Sequence, residues 1–220
     1  MNLKAFVGTL AVLTLAATAV LSGPPYFSSA SRPVRGITNP VLAMEVVQNA
    51  SEVDAILSDS PSPDREAMRL KQYADFGFIA CYAALFVLMA MMLGRMAWFA
   101  AALGLLAAAS DVIENFAILR LVDLPLSQTT QDQIDAIRHP ALMKWALASL
   151  ALGLFAALLL RQPKTGLRIV GAFDLAASLL GLYGLRNNLS LAWSGLPMLA
   201  GILTLAILFF RPHRIGRGRS

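Results

Sequence analysis

The sequence predicts an all-α polytopic membrane bundle of five crossings plus an N-terminal helix, six crossings in total if that helix is retained. Three observations carry this prediction. Of 220 residues, 57% are hydrophobic and only 14% charged, with a mean hydropathy of +0.64, whereas about a quarter of an average soluble domain is charged. Five long apolar runs, 74–93, 97–121, 141–160, 167–185 and 189–210, approach or exceed the ~20 residues that cross a ~30 Å hydrocarbon core. No run alternates with period two, so the backbone satisfaction that lipid demands comes from helices and not from a closed barrel. The chain divides into residues 1–22, an extracytoplasmic segment 23–73, the bundle 74–210 and a basic tail 211–220.

The net charge of +5 encodes topology, not nucleic-acid contact. Arg95, the Arg161-Lys164-Arg168 loop and the tail residues Arg211, Arg214, Arg217 and Arg219 share one side of the membrane. The positive-inside rule makes that side cytoplasmic. Arg120, Arg138 and Arg186 mark the opposite side, and none of the thirteen Asp and Glu residues falls in a predicted cytoplasmic loop.

At the N-terminus, Lys4 precedes an apolar run to Leu21. Its length favours a first crossing; Pro24-Pro25 and the small residues Ser28-Ser29-Ala30 fit a cleaved signal peptide. Residues 23–38 read as an exposed linker. Asn39-Pro40 then opens a short helix, an N-cap followed by proline at the first helical position, and Ser51 to Leu57 reads as a second amphipathic piece. These pieces lie in the membrane interface, cap the mouth of the bundle, or pack on themselves as a folded loop.

Ser62-Pro63-Asp64 starts a helix that meets no breaker before Gly77 and Gly94. It should run continuously into the membrane, with Arg65, Glu66, Arg69 and Lys71 above the surface, Tyr73 at the interface and Asp75 just inside. Arg95 turns the chain back, and the central crossing carries Gly104, Ala107, Ala108, Asp111, Asn115 and Ile118 at three- and four-residue spacing. Asp111 and Glu114, three apart, lie on one helical face. An ionisable residue at the bilayer centre costs roughly 3 kcal/mol, so that face should look into the bundle.

Thr130 and Gln133 form a capping-box pattern, read as a short surface helix before His139-Pro140 leads into the next crossing. Lys144 lies about one turn inside, at a depth that permits an ion pair with Glu114 or snorkelling outward beside Trp145. Gly171, Asp174, Ser178 and Gly181 make a small-and-polar stripe suited to close packing. Asp174 stands nearer the cytoplasmic side, about 9 Å along the helix from Arg168, and is expected to be a second intramembrane acid apart from the outer cluster. Pro197 interrupts the last crossing.

The candidate site is therefore an outer polar pocket of Asp75, Asp111, Glu114, Asn115 and Lys144, rimmed by Arg120, Trp145 and Trp193. No complete catalytic motif accompanies it. Cys81 is the single cysteine, and His139 and His213 fall on opposite sides, so no disulfide, zinc or haem ligand set is signalled and no cofactor is expected. An aspartic-protease dyad of Asp111 and Asp174 fails on depth and on the missing Gly-x-Gly-Asp context. Three readings stay open. The pocket binds a lipid or other amphipathic molecule, with a proton shared between adjoining acids; the residues are a structural network in a non-catalytic accessory or assembly subunit; or the cluster serves a lipid-modifying enzyme. Membrane lipids, a homo-oligomer or a larger membrane complex are the expected partners, and nucleic acid is not.

Met44-Glu45-Val46-Val47 through Asp54-Ala55-Ile56-Leu57, Asp75-Phe76-Gly77-Phe78-Ile79, Asp111-x-x-Glu114-Asn115 and Lys144-Trp145 together resemble a group of uncharacterised bacterial integral membrane proteins. The resemblance covers about residues 39 to 160. It implies a shared fold and a bacterial inner-membrane setting, and it carries no activity.

Overall fold

The computed structural model describes residues 3–28, 30–59 and 62–210. The basic tail and Ser29 of the signal-like Ser28-Ser29-Ala30 lie outside the described residues. Among those described there are eight α-helices and no strand: α1 (Leu3–Ser22), α2 (Pro40–Met44), α3 (Ala50–Leu57), α4 (Pro63–Leu93), α5 (Ala97–Val122), α6 (Gln131–Leu159), α7 (Thr165–Gly184) and α8 (Asn188–Phe209). A 3₁₀ turn, Leu126–Gln128, joins α5 to α6. Six of the helices, α1 and α4 to α8, are long and apolar enough to cross a membrane.

Local chemistry explains the longest elements. Ser62 caps α4 by accepting from the Asp64 N–H, with proline following at the first helical position, and Gly94 at φ 91° ends it. At 31 residues α4 is about 46 Å long, so its first turns project beyond a bilayer core. Thr130 and Gln133 do close a capping box, but the helix they start does not stop at the surface. It continues through Pro140 to Leu159 as α6. Proline there removes only the hydrogen bond to the Ala136 carbonyl, which a helix tolerates where it leaves the hydrocarbon.

The six long helices form a ring. α4 packs on α5, α5 on α6, α6 on α7 and α7 on α8, and α1 closes the circle against α8 and α4. Close approach is built in: at Gly8 a Cβ would stand 2.3 Å from the Phe210 backbone nitrogen. Polarity is inverted relative to a soluble protein. On α5, Ser110, Asp111, Glu114 and Asn115 are buried while Leu106, Ile113 and Phe116 face outward, as expected when lipid is the solvent.

Two apolar cores close the ring at its ends. The core at the basic end gathers Val7, Ala90, Ala97, Ala101, Leu159, Val170 and Phe209. At the loop-rich end, Val47, Val53, Ile56, Met68, Ile118, Leu121, Ile137 and Leu191 join α2 and α3 to the helix ends. Segment 23–59 is thus a cap over the ring. Arg65 and Lys71, on the turns of α4 that precede the crossing, are buried beneath this cap. Arg65 donates to the carbonyls of Ser58 (3.0 Å), Val122 (3.1 Å) and Leu124 (2.6 Å), and Lys71 to that of Gly23. Asp64 accepts from the Ser28 N–H and hydroxyl. These bonds tie the cap to α4, with backbone carbonyls accepting from the two cations and Ser28 donating to Asp64; one guanidinium nitrogen of Arg65 is left without a partner.

Candidate functional site

Lys144 is the centre of the polar cluster. Its Nζ lies 2.7 Å from Glu114 Oε2, 2.9 Å from Asp111 Oδ1 and 3.2 Å from Glu45 Oε1. The expected pairing with Glu114 is present, and snorkelling is not: the lysine side chain is 11% exposed. Around this core Tyr82 donates to Asp111 Oδ2 (2.9 Å), Asn115 donates to Asp75 Oδ2 (2.8 Å) and Trp145 donates to Glu45 Oε2 (2.5 Å). Three carboxyl groups therefore contact one ammonium, and a fourth, that of Asp75, is held nearby by Asn115.

Geometry follows from helix periodicity. On α5, Asp111, Glu114 and Asn115 sit on the inward face; on α4, Asp75, Phe78, Tyr82, Phe86 and Met89 follow one another at three- and four-residue spacing and line the inside of the ring. Glu45 reaches the cluster from the cap, where it terminates α2. Burial pushes the Glu45 carboxyl above the usual glutamate range, against the pull of the Lys144 ammonium.

A cavity of about 180 Å³ runs from this cluster into the ring. Its wall is an aromatic ladder: Phe78 and Tyr82 meet edge to face at 5.2 Å, Tyr82 and Phe86 at 5.9 Å, and Phe86 stacks on Phe155 at 5.7 Å. Leu152, Met198 and Ile202 complete the apolar lining, and Asp174 lines the far part. Asp174 is 9% exposed, and its Oδ1 lies 3.1 Å from where a Gly201 Cβ would stand. Among the described residues no hydrogen bond or ion pair engages it.

The helix register sets the length of the cavity. Gly153 abuts Ser178, and Gly171 abuts Leu160, so Asp174 is level with Ala157. Thirteen residues separate Lys144 from that level, which is about 20 Å along α6. The cavity is a slot with the acid cluster toward the cap and Asp174 toward the other end.

No family model, curated protein or solved structure matches the chain.

Function is therefore read from the site. Of the residues expected there, Asp75, Asp111, Glu114, Asn115, Lys144 and Trp145 line one cavity. Arg120 does not: it is exposed, because six residues beyond Glu114 is about 240° around the helix. Trp193 is 56% exposed on the outer face of α8, whose inward face carries Leu191 and Ser194. Asp174 is distant from the cluster, as expected, yet belongs to the same cavity. The depth difference and the engagement of Asp111 with Lys144 and Tyr82 leave no carboxyl dyad between Asp111 and Asp174.

Glu45 and Tyr82 are additional members. Glu45 interrupts the apolar sequence Val41-Leu42-Ala43-Met44-Glu45-Val46-Val47, a signal visible before folding. Tyr82 carries none, being one aromatic among several in α4. Among the described residues, no three His, Cys, Asp or Glu side chains converge in a way that could hold a metal ion; the lysine ammonium occupies the middle of the acids.

Proposed function

We propose that the protein binds a lipid or other amphipathic small molecule in the slot inside its ring, as an integral protein of a bacterial inner membrane. The observation that carries this reading is the continuity of the acid cluster with an aromatic wall in one cavity. A few polar groups that fix orientation, set in a mostly apolar cleft, are the common composition of small-molecule sites. Charge distribution supports an orientation with segment 23–73 outside and the tail in the cytoplasm, which places the acid-rich end toward the outer leaflet. Binding is coupled to protons: four adjoining carboxyl groups facing one ammonium favour retention of a proton among them, and a ligand cation would release it.

One observation favours a second reading. The cluster satisfies much of its own hydrogen-bonding capacity through Lys144, Tyr82, Asn115 and Trp145, as a network that only fixes helix register in an accessory subunit would. Combining Asp111→Asn with Glu114→Gln separates the two. Loss of ligand binding by a normally folded protein supports the pocket. Loss of assembly with no effect on binding supports the accessory role, and loss of turnover with binding retained would point to an enzyme.

A further inference from the structure

The slot is acidic at both poles and apolar between them. At the cap end Glu45, Asp75, Asp111 and Glu114 are set against the single ammonium of Lys144, which leaves an excess of acid. About 20 Å away, Asp174 is nine-tenths buried, lines the slot and has no partner among the described residues. Its carboxyl oxygens are not sealed in but open onto the slot, and covering them with hydrocarbon would cost about 1–3 kcal/mol, or more if charged. A simple amphipath, whose tail ends in hydrocarbon, would bury Asp174 further and leave it unsatisfied. An anionic headgroup would face four carboxyl groups at the other pole.

We infer that the ligand is a linear molecule with a basic nitrogen at each end: one ammonium among the carboxyl groups of the cluster, the other on Asp174, and an apolar chain along Phe78, Phe86 and Phe155 between them. This rests on the amphipath reading of the same cavity and names its ligand class. The aromatic faces suit the chain and also the approach of a cation along the wall. Both ends of the ligand then replace water with charge-assisted hydrogen bonds, the stronger kind.

The test is competition against tritiated dodecylamine on the full-length protein in nanodiscs, with protein-free nanodiscs subtracted. The competitors are 1,12-diaminododecane, dodecylamine and dodecan-1-ol. The diamine is expected to bind about tenfold or more tighter than the monoamine, the value of one hydrogen bond to a charged group. Asp174→Asn should bring the diamine to the level of the monoamine. Selectivity in the unmodified protein decides the matter even if that variant does not fold. A diamine no tighter than the monoamine, or an advantage that survives Asp174→Asn, overturns the inference while leaving the amphipath reading in place. If neither the amines nor dodecan-1-ol bind, the amphipath reading itself falls, and the inference with it.

Discussion

The Lys144 ammonium sits 2.7 Å from Oε2 of Glu114, whose side chain is 1% exposed. The partners come from neighbouring crossings, α6 and α5, and the same ammonium holds Asp111 and Glu45. One cation therefore compensates two acids of one crossing and one of the cap, and its removal should matter more than the loss of an ordinary ion pair.

Lys144→Met is expected to destabilise the fold by about 3–5 kcal/mol, the usual cost of leaving a buried charge without its partner. Adding Glu114→Gln should recover part of that loss, because the two residues are directly coupled. Thermal unfolding in detergent of the two single variants and the double variant checks this; additive effects would show that the pair does not interact.

Glycine substitutions should divide by position. Gly8→Ala drives a methyl group into the Phe209–Phe210 backbone and should push α1 off α8 at about 1–3 kcal/mol, the range for overpacking. Gly77 faces open space on α4, so Gly77→Ala should be neutral or stabilising by up to about 1 kcal/mol through helix propensity. A lowered melting temperature for Gly8→Ala and an unchanged or raised one for Gly77→Ala are the expected result.

The architecture was legible because its cause is local. Apolar runs of crossing length need no knowledge of neighbours, and acids three apart on a helix announce an inward face. Residue rotation and the third dimension were less accessible. Arg120 and Trp193 lie toward the same end of the bundle as the cluster but face outward, so position along the helix without azimuth misplaced them. Glu45 is separated from Trp145 by a hundred residues, and only the docking of the cap brings it to Lys144. An apolar N-terminal run reads equally as a crossing or a leader, since the contacts that engage α1 lie on α4 and α8. Asp174 could be placed by depth, but that the slot reaches it depends on how five other elements line the ring interior.

The cap should respond to pH through Glu45. Burial raises the folded-state pKa of this acid above its ordinary value, so its contribution to holding α2 down is fully present below the ordinary glutamate pKa of about 4.3. That contribution is lost as pH rises through the raised value. Protection factors in α2, taken relative to the base-catalysed intrinsic exchange rate, should fall over that range, and Glu45→Gln, which cannot ionise beside Lys144, Asp111 and Trp145, should flatten the profile. Protection that rises with pH would reverse the sign and show that the Lys144 attraction outweighs burial.

Whether the interior of the ring is a binding site is tested most directly by filling it. Ala148 lines the slot, and Ala148→Trp places an indole across the path from the cluster to Asp174. Native mass spectrometry of the unmodified protein titrated with dodecylamine should show a saturable one-to-one adduct. The Ala148→Trp variant, folded by its melting profile, should need at least about tenfold more amine, the equivalent of 1.4 kcal/mol. Equal adduct formation by both proteins would place the amine outside the ring and contradict the account.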